Sequence, residues 1–364
     1  MIRVDVCGRT DVGRTREHNE DAYLVADVME AAPLPEGSAT GYGADGRGLL
    51  FMVADGMGGA AAGEIASEMA VSTVLEMLAG RWRDGSTVDP SAFASALREA
   101  GEEANRRIHA CAAEHPEYRG MGTTATIAGL LGDTLYLAQV GDSRAYLVRG
   151  GTARQITKDQ SLLQRLVEAG EMTAEEAEKS ERRNIILQAL GPEANVVIDL
   201  THQQVRRGDV LILCSDGLSG LVRDEQISQV VAEAADMCEI CERLITAANQ
   251  NGGPDNITVV AARFDGEGLP LASEADAVGH RRFPDAALPP DEDDWINGDA
   301  TLPPPPLDDL PAAAAGAVAP PLPNGAFAPV PRERGHVVVR VLRVLVVVSV
   351  LAAGGLLLWR WLGR

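Results

Sequence analysis

The sequence predicts an α+β fold in which antiparallel sheets are covered by helices. Three observations carry this. Apolar, strand-like runs arrive consecutively, two of their connections carry hairpin signals at Gly132-Asp133 and Gly150-Gly151, and the helical segments are grouped between the runs. The regular strand-helix alternation of a doubly wound parallel sheet does not occur.

Taken along the chain, apolar runs at Leu49 to Ala54, Thr124 to Leu131, Thr134 to Val140, Ala145 to Val148, Val210 to Cys214 and Ile257 to Phe264 read as strands. Ala60 to Leu78 carries Val71, Val74, Leu75 and Leu78 at helical spacing, and Pro90 to Ala113 is a second long helix. Near Thr173 the run TAEE matches a capping box and opens a shorter helix.

Composition divides the 364 residues into regions. Residues 1–265 mix strands, amphipathic helices and glycine turns as a globular domain does. Residues 266–336 hold 14 of the 20 prolines, the acidic run Asp291 to Asp294 and alanine tracts, a composition that cannot bury enough apolar surface to offset its ordering entropy. A disordered linker is expected there. Residues 337–359 contain Arg340 and Arg343 as their only charges. At about 1.5 Å per residue they cross a hydrocarbon core of ~30 Å, so one transmembrane helix is expected, followed by a short tail, 360–364. Arg332, Arg334, Arg340 and Arg343 precede the uncharged run Val344 to Trp359, and Arg360 and Arg364 follow it, a bias that places the long N-terminal part in the cytoplasm. The brevity of the tail predicts tethering without external sensing.

Acidic residues outnumber basic ones 53 to 32, a formal charge of −21, which excludes nucleic acid as a partner on electrostatic grounds. Of five cysteines only Cys238 and Cys241 form a C-x-x-C pair. It sits in a helical run with no second pair to complete a zinc site, so core or surface cysteines in a reducing compartment are expected.

The chemistry lies in carboxylates at the ends of apolar segments: Glu20 and Asp21 in NED, Asp55 after FMVA, Asp142 in QVGDSR, Asp216 after LILCS, and Asp255 in GGPDN before ITVVAARF. An Asp before Gly is commonly a turn residue. Gathered at one place, however, two carboxylates about 4 Å apart repel by about 4 kcal/mol at an effective dielectric near 20, so the set calls for cations. An all-oxygen cluster suits Mg²⁺ or Mn²⁺ rather than zinc, and the glycines after Asp55 and Asp216 would let carbonyls approach the ions. Two adjacent ions would bridge and activate a water for in-line attack on a phosphoryl group, which Arg16 could hold.

The ordered motifs RTREHNEDAY, VADGMGGAAAGEIAS, GMGTTATIAG, QVGDSRAYLVRGG, QITKDQSLLQRLVEAGEMTAEEA, GDVLILCSDGLSGLV and NGGPDNITVVAARF closely resemble the bacterial protein phosphatase 2C-type, metal-dependent Ser/Thr phosphatases. The resemblance covers about residues 3–265. It implies a four-layer α-β-β-α sandwich and an enzyme that hydrolyses phosphoserine and phosphothreonine on proteins, opposing Ser/Thr kinases, which are themselves expected partners. It further implies that Asp55 bridges two ions, with the Gly56 carbonyl on one of them. Asp216 and Asp255 would serve the first ion, and Asp21, with Glu20 through water, the second. Asp142 with Asp216 would hold a third. Arg16 would bind the phosphate, Asn256 would be a supporting hydrogen bonder, and Lys158 to Ser180 would form a flap beside the cleft. Two departures stand out: Met57 and Ala60 occupy positions where relatives carry a histidine proposed as general acid. The competing expectations are a catalytically silent, membrane-tethered binding module and a metallo-nuclease. Retention of Asp21, Asp55, Asp216 and Asp255 argues against the first, and the charge of −21 against the second.

Overall fold

Sheets buried on both faces explain the continuous apolar runs of the sequence. The structure, a computed structural model, describes residues 2–284 apart from 29, 35–41, 44–47, 59–61, 83–88, 179, 181, 183–184 and 274–275. The expected membrane span, 337–359, and most of the expected linker lie outside the described residues. Among the described residues no helix is long and apolar enough to cross a membrane.

The described chain runs β1 (Arg3–Asp11), β2 (Asp21–Asp27), the short β3 (Ala32–Pro33) and β4 (Tyr42–Gly43), β5 (Leu49–Met57), α1 (Ala62–Trp82) and α2 (Pro90–Glu114). There follow β6 (Gly122–Thr123), β7 (Ala125–Leu131), β8 (Thr134–Val140), β9 (Arg144–Arg149), β10 (Thr152–Gln155), α3 (Leu162–Glu168) and α4 (Ala174–Glu178). The last elements are β11 (Asp199–Gln204), β12 (Val210–Cys214), α5 (Asp216–Ser219), α6 (Asp224–Glu233), α7 (Met237–Gln250) and β13 (Ile257–Asp265). One antiparallel sheet has the order β10-β9-β12-β13-β1-β4, the other β11-β8-β7-β5-β2-β3, with β6 pairing β5.

Strand alternation sorts side chains into separate cores. On β5, Leu50, Met52 and Ala54 face Ala66, Ala70, Ala100 and Ala104 of α1 and α2. Leu49, Phe51 and Val53 face the second sheet, where Phe51 meets Phe264 edge to face at 6.4 Å. On β13, Val259 and Ala261 turn outward to Leu244 and Ala248 of α7, while Val260 and Phe264 turn inward. The layers are therefore helix, sheet, sheet, helix.

Local signals act where the sequence placed them. Gly150 and Gly151 take φ values of 58° and 79° in the β9–β10 turn. Asp89 caps α2 by accepting from Ala92 N, with Pro90 at the first helical position. Thr173 and Glu176 exchange side-chain and backbone hydrogen bonds at the start of α4.

Two expectations are corrected. The folded part does not stop at 265: the described residues up to Pro284 run back over the sheet, with bridges Arg207↔Leu271 and Thr201↔Arg282. Phe283 stacks edge to face on Tyr136 and His202, and Arg206 pairs with Asp276 at 2.7 Å. Backbone pairing to edge strand β11, the Phe283 ring and the Arg206–Asp276 ion pair hold this segment, which its composition conceals. The C-x-x-C pair is divided, because Cys238 of α7 is disulfide-bonded to Cys7 of β1 while Cys241 is a buried thiol. Residues 231 apart in sequence become neighbours only when α7 lies on β1.

Candidate metal centre

β2 and β5 pair in a register that sets Asp21 directly opposite Asp55. Asp142 lies in the turn between β8 and β9, Asp216 opens α5 just after β12, and Asp255 stands shortly before β13. Both sheets thus deliver carboxylates to one place. Burial pushes Asp55 well above the ordinary carboxylate range, and repulsion from Asp21, Asp216, Asp142 and Asp255 adds to it. Asp21 is pushed up to about 7, chiefly by burial and further by Asp216 and Asp255. Asp142 is pushed up to about 8, again by burial first and then by Asp216. Asp142, Asp216 and Asp255 line a groove of about 520 Å³ together with Leu163, Gln164 and Val167 of α3, in the segment expected to form a flap.

The backbone around Asp55 is fully tied. Its N–H donates to Thr124 Oγ1 at 2.9 Å, and its carbonyl accepts from Thr124 N and Thr123 Oγ1. Gly56 N donates to the Glu20 carbonyl at 3.1 Å. A Cβ on Gly56 would stand 2.2 Å from Gly63 O, and one on Gly217 would stand 2.0 Å from Asn256 O. The glycines of the two Asp-Gly motifs are therefore required by close chain packing, a reason different from the access for ions that the sequence suggested. Glu20, beside Gly63, is raised by burial and drawn back by Arg16.

Asn256 is buried and spends its side chain on backbone: Oδ1 accepts from Glu20 N at 2.8 Å, while Nδ2 donates to Val12 O and His18 O. It fastens the loop carrying Arg16, Glu20 and Asp21 to the start of β13. Arg16, expected to meet phosphate, is half-exposed and grips Asp255, Nε to Oδ1 and one terminal nitrogen to Oδ2, both at 2.9 Å. The planar fork matches the carboxylate, so the clamp and one acidic residue neutralise each other. Met57 closes β5 beside Gly122 of β6, and Ala60 lies outside the described residues.

Sequence reasoning missed the residues that brace the acids. Ser215 and Thr258 both donate to Asp21 Oδ2, at 2.7 and 2.6 Å. Arg144 holds Asp159 beside Asp142. A polar residue inside an apolar strand, Thr258 in ITVV, was the available signal.

The residues fit divalent cations. Asp21 Oδ1 is buried with no hydrogen-bond partner, an arrangement that a cation would satisfy. The donors are oxygens throughout, as Mg²⁺ and Mn²⁺ require. Among the described residues no three acidic, His or Cys side chains close into a cage.

Known proteins share this arrangement of motifs. A family model described as protein phosphatase 2C matches residues 38–251. The serine/threonine phosphatase stp of Listeria monocytogenes is 36% identical over 258 residues, covering 71% of this chain and 94% of that protein. The serine/threonine protein phosphatase PstP of Mycobacterium tuberculosis is 42% identical over 255 residues, 70% of this chain and 44% of that protein. A crystal structure of the catalytic domain of PstP in complex with two manganese ions is similar with a TM-score of 0.59 and 35% identity, covering 73% of this chain and all of that one.

Proposed function

The chain belongs to the protein phosphatase 2C family, and on that premise we propose how its carboxylate site works. The protein is a metal-dependent phosphatase that removes phosphate from phosphoserine and phosphothreonine of proteins with Mn²⁺ or Mg²⁺. The observation that carries the site assignment is the meeting of Asp21 and Asp55 across β2 and β5 with Asp142, Asp216 and Asp255 around them.

Asp55, Asp216 and Asp255 would hold one ion, and Asp55 and Asp21, with Glu20 through water, the other; the Gly56 carbonyl would bind one of the two. Asp142 with Asp216 would offer a third, weaker position. Such ions, when bound, activate water near neutral pH and neutralise the charge of the phosphoryl group. The chain's own residues do the rest. Asn256 and Ser67 fix the backbone of Glu20, and the tied backbone of Asp55 fixes the angle of its side chain. Arg16, whose fork grips Asp255, has the geometry to orient a phosphate through two nitrogens. The α3 and α4 segment borders the groove and would contact the phosphoprotein. With Met57 in place of histidine, the leaving seryl or threonyl oxygen would not take its proton from a side chain at that position.

The reading includes a location. Residues 337–359 would anchor the enzyme in a membrane, with 285–336 as spacer and the catalytic domain in the cytoplasm opposing Ser/Thr kinases; the uncharged run from Val344 to Trp359 supports this. Sedimentation of the full chain with membranes, and its release by truncation after His336, is the expected result. A full chain that stays in the supernatant refutes the anchor.

The activity is tested by phosphate release from a phosphothreonine peptide. Release that requires Mn²⁺ and is lost in Asp55→Asn is expected. Release without added metal, or unchanged in the variant, overturns the assignment.

A further inference from the structure

We propose that Thr258 and Ser215 are positioning residues that lock the Asp21 carboxylate so that a single oxygen, Oδ1, is presented to the metal centre. The inference rests on the metal-dependent reading above and concerns residues to which that reading gives no part.

The two hydroxyls come from the opposite sheet. Ser215 follows β12 and Thr258 is the second residue of β13, whereas Asp21 opens β2. Both hydroxyl residues are fully buried, and both spend their proton on the same atom, Asp21 Oδ2. Neither is free to turn away. Thr258 N donates to Ser215 Oγ at 3.0 Å and Ser215 N donates to the Thr258 carbonyl at 3.2 Å, so each fixes the other.

The polarity of the network can be followed outward. An ionised carboxylate only accepts, so the single hydroxyl proton of Thr258 points at Asp21. Thr10 of β1, with Oγ1 at 2.7 Å from Thr258 Oγ1, must then be the donor in that contact. Thr10 in turn accepts from Asn19 Nδ2 at 2.8 Å, and Asn19 Oδ1 accepts from Asp21 N at 3.1 Å, which decides the orientation of the amide. The chain of donors starts and ends at the Asn19-Asp21 segment and runs through β1 and β13. With Asp21 ionised, as a bound cation requires, every hydroxyl has one assignment.

With Oδ2 taking two hydroxyl donors, rotation of the carboxylate about its terminal bond would break both. Oδ1 is left as the buried, unpartnered oxygen. Groups of this kind, which orient a metal-binding side chain, commonly carry 10- to 100-fold in metal affinity.

The test is calorimetric titration of Mn²⁺ into the full chain without substrate, paired with the Mn²⁺ concentration that gives half-maximal phosphate release. Thr258→Val, which keeps shape and removes the hydroxyl, is expected to weaken Mn²⁺ binding about 10- to 100-fold, Thr258→Ser to restore it, and Ser215→Ala to weaken it in the same range. Cooperative melting of each metal-free variant establishes that it is folded. Should Thr258→Val fail to fold, Ser215→Ala carries the same reading. Folded variants that bind Mn²⁺ like the wild type, or a loss that Thr258→Ser leaves in place, overturn the proposal. Wild-type protein that takes up no Mn²⁺ instead overturns the metal-dependent reading on which it rests.

Discussion

Arg144 and Asp159 meet through two nitrogens of the guanidinium: Nε stands 3.0 Å from both carboxylate oxygens and a terminal nitrogen 2.7 Å from Oδ2. Arg144 begins β9, two residues after Asp142, and Asp159 stands at the root of the α3 segment. Gln160 adds a second fastening by exchanging two hydrogen bonds with Gly141. The loop that carries Asp142 and the groove-lining helix are thereby one mechanical unit. Arg144→Gln should cost about 2–3 kcal/mol, the worth of hydrogen bonds to a charged partner, and should speed proteolytic cleavage within α3. Denaturant midpoints and limited proteolysis read both effects, and an unchanged midpoint contradicts the coupling.

The raised acids give the metal-free protein a distinctive pH dependence. Asp21 at about 7 and Asp142 at about 8 lie above the ordinary value of 3.8. Between about pH 4 and 8 the folded state therefore binds more protons than the unfolded one, and stability must fall as pH rises through that window. The slope should be about 3 kcal/mol per pH unit near pH 6, about 1.4 for each of the two protons that the folded state holds and the unfolded state does not. Melting of chelator-treated protein should drop with rising pH, and the gain from added Mn²⁺ should be largest at the alkaline end. A melting temperature that rises from about pH 5 to 8 in the absence of metal contradicts this.

Asp209 and Arg149 form an ion pair far from the chemistry, with side chains 2% and 8% exposed. Asp209 also accepts from Arg206 N at 2.7 Å. It precedes β12 while Asp216 follows it, so the whole strand, ~17 Å long at ~3.3 Å per residue, lies between them. Asp209→Ala leaves a buried guanidinium unpaired and should cost about 3–5 kcal/mol. Mn²⁺ affinity of the folded fraction should stay at the wild-type value, which equilibrium unfolding and calorimetry together check.

Two glycines should respond in opposite directions. Gly56→Ala would force a methyl to 2.2 Å from Gly63 O and 2.5 Å from Glu20 O, so it should cost 1–3 kcal/mol or more, in order-of-magnitude terms, and weaken Mn²⁺ binding by displacing Glu20. Gly80, near the end of α1, has open space around its Cβ position. Gly80→Ala should stabilise by roughly 0.5–1 kcal/mol with activity unchanged. Equal effects at the two sites would contradict the packing argument.

The Cys7–Cys238 bond closes most of the folded chain into one loop. Reduction, or Cys238→Ser, should lower stability by about 2–4 kcal/mol. Mass spectrometry after alkylation without reductant should find three modifiable thiols, Cys111, Cys214 and Cys241, in the unfolded protein. Five alkylated thiols would show the bond to be absent.

Much of the fold was legible because burial on both faces leaves a continuous apolar signature. Runs such as Leu49 to Ala54 and Val210 to Cys214 stand in the structure as strands within a residue or two, except that β5 runs on to Met57. β1, β2 and β11 left no such trace. RVDVCGRTD interleaves charges, DAYLVAD is bounded by them, and DLTHQQ is a polar strand near a sheet edge. Their partners rather than their own side chains make them strands. The acids Asp21, Asp55, Asp142, Asp216 and Asp255 could be picked out singly, each at the end of an apolar segment.

The sequence by itself determined the cast: five carboxylates, their glycines, an arginine and a formal net charge of −21. These follow from residue type and local order, which a chain carries without folding. Only the tertiary structure decided that Asp21 faces Asp55, that Arg16 answers Asp255, that Cys7 meets Cys238, and that Ser215 and Thr258 share one oxygen of Asp21. Each of these contacts joins residues far apart in sequence: strand register sets Asp21 against Asp55, the facing of the two sheets brings Ser215 and Thr258 to Asp21, and the packing of α7 on β1 brings Cys7 to Cys238, none of which a local pattern encodes.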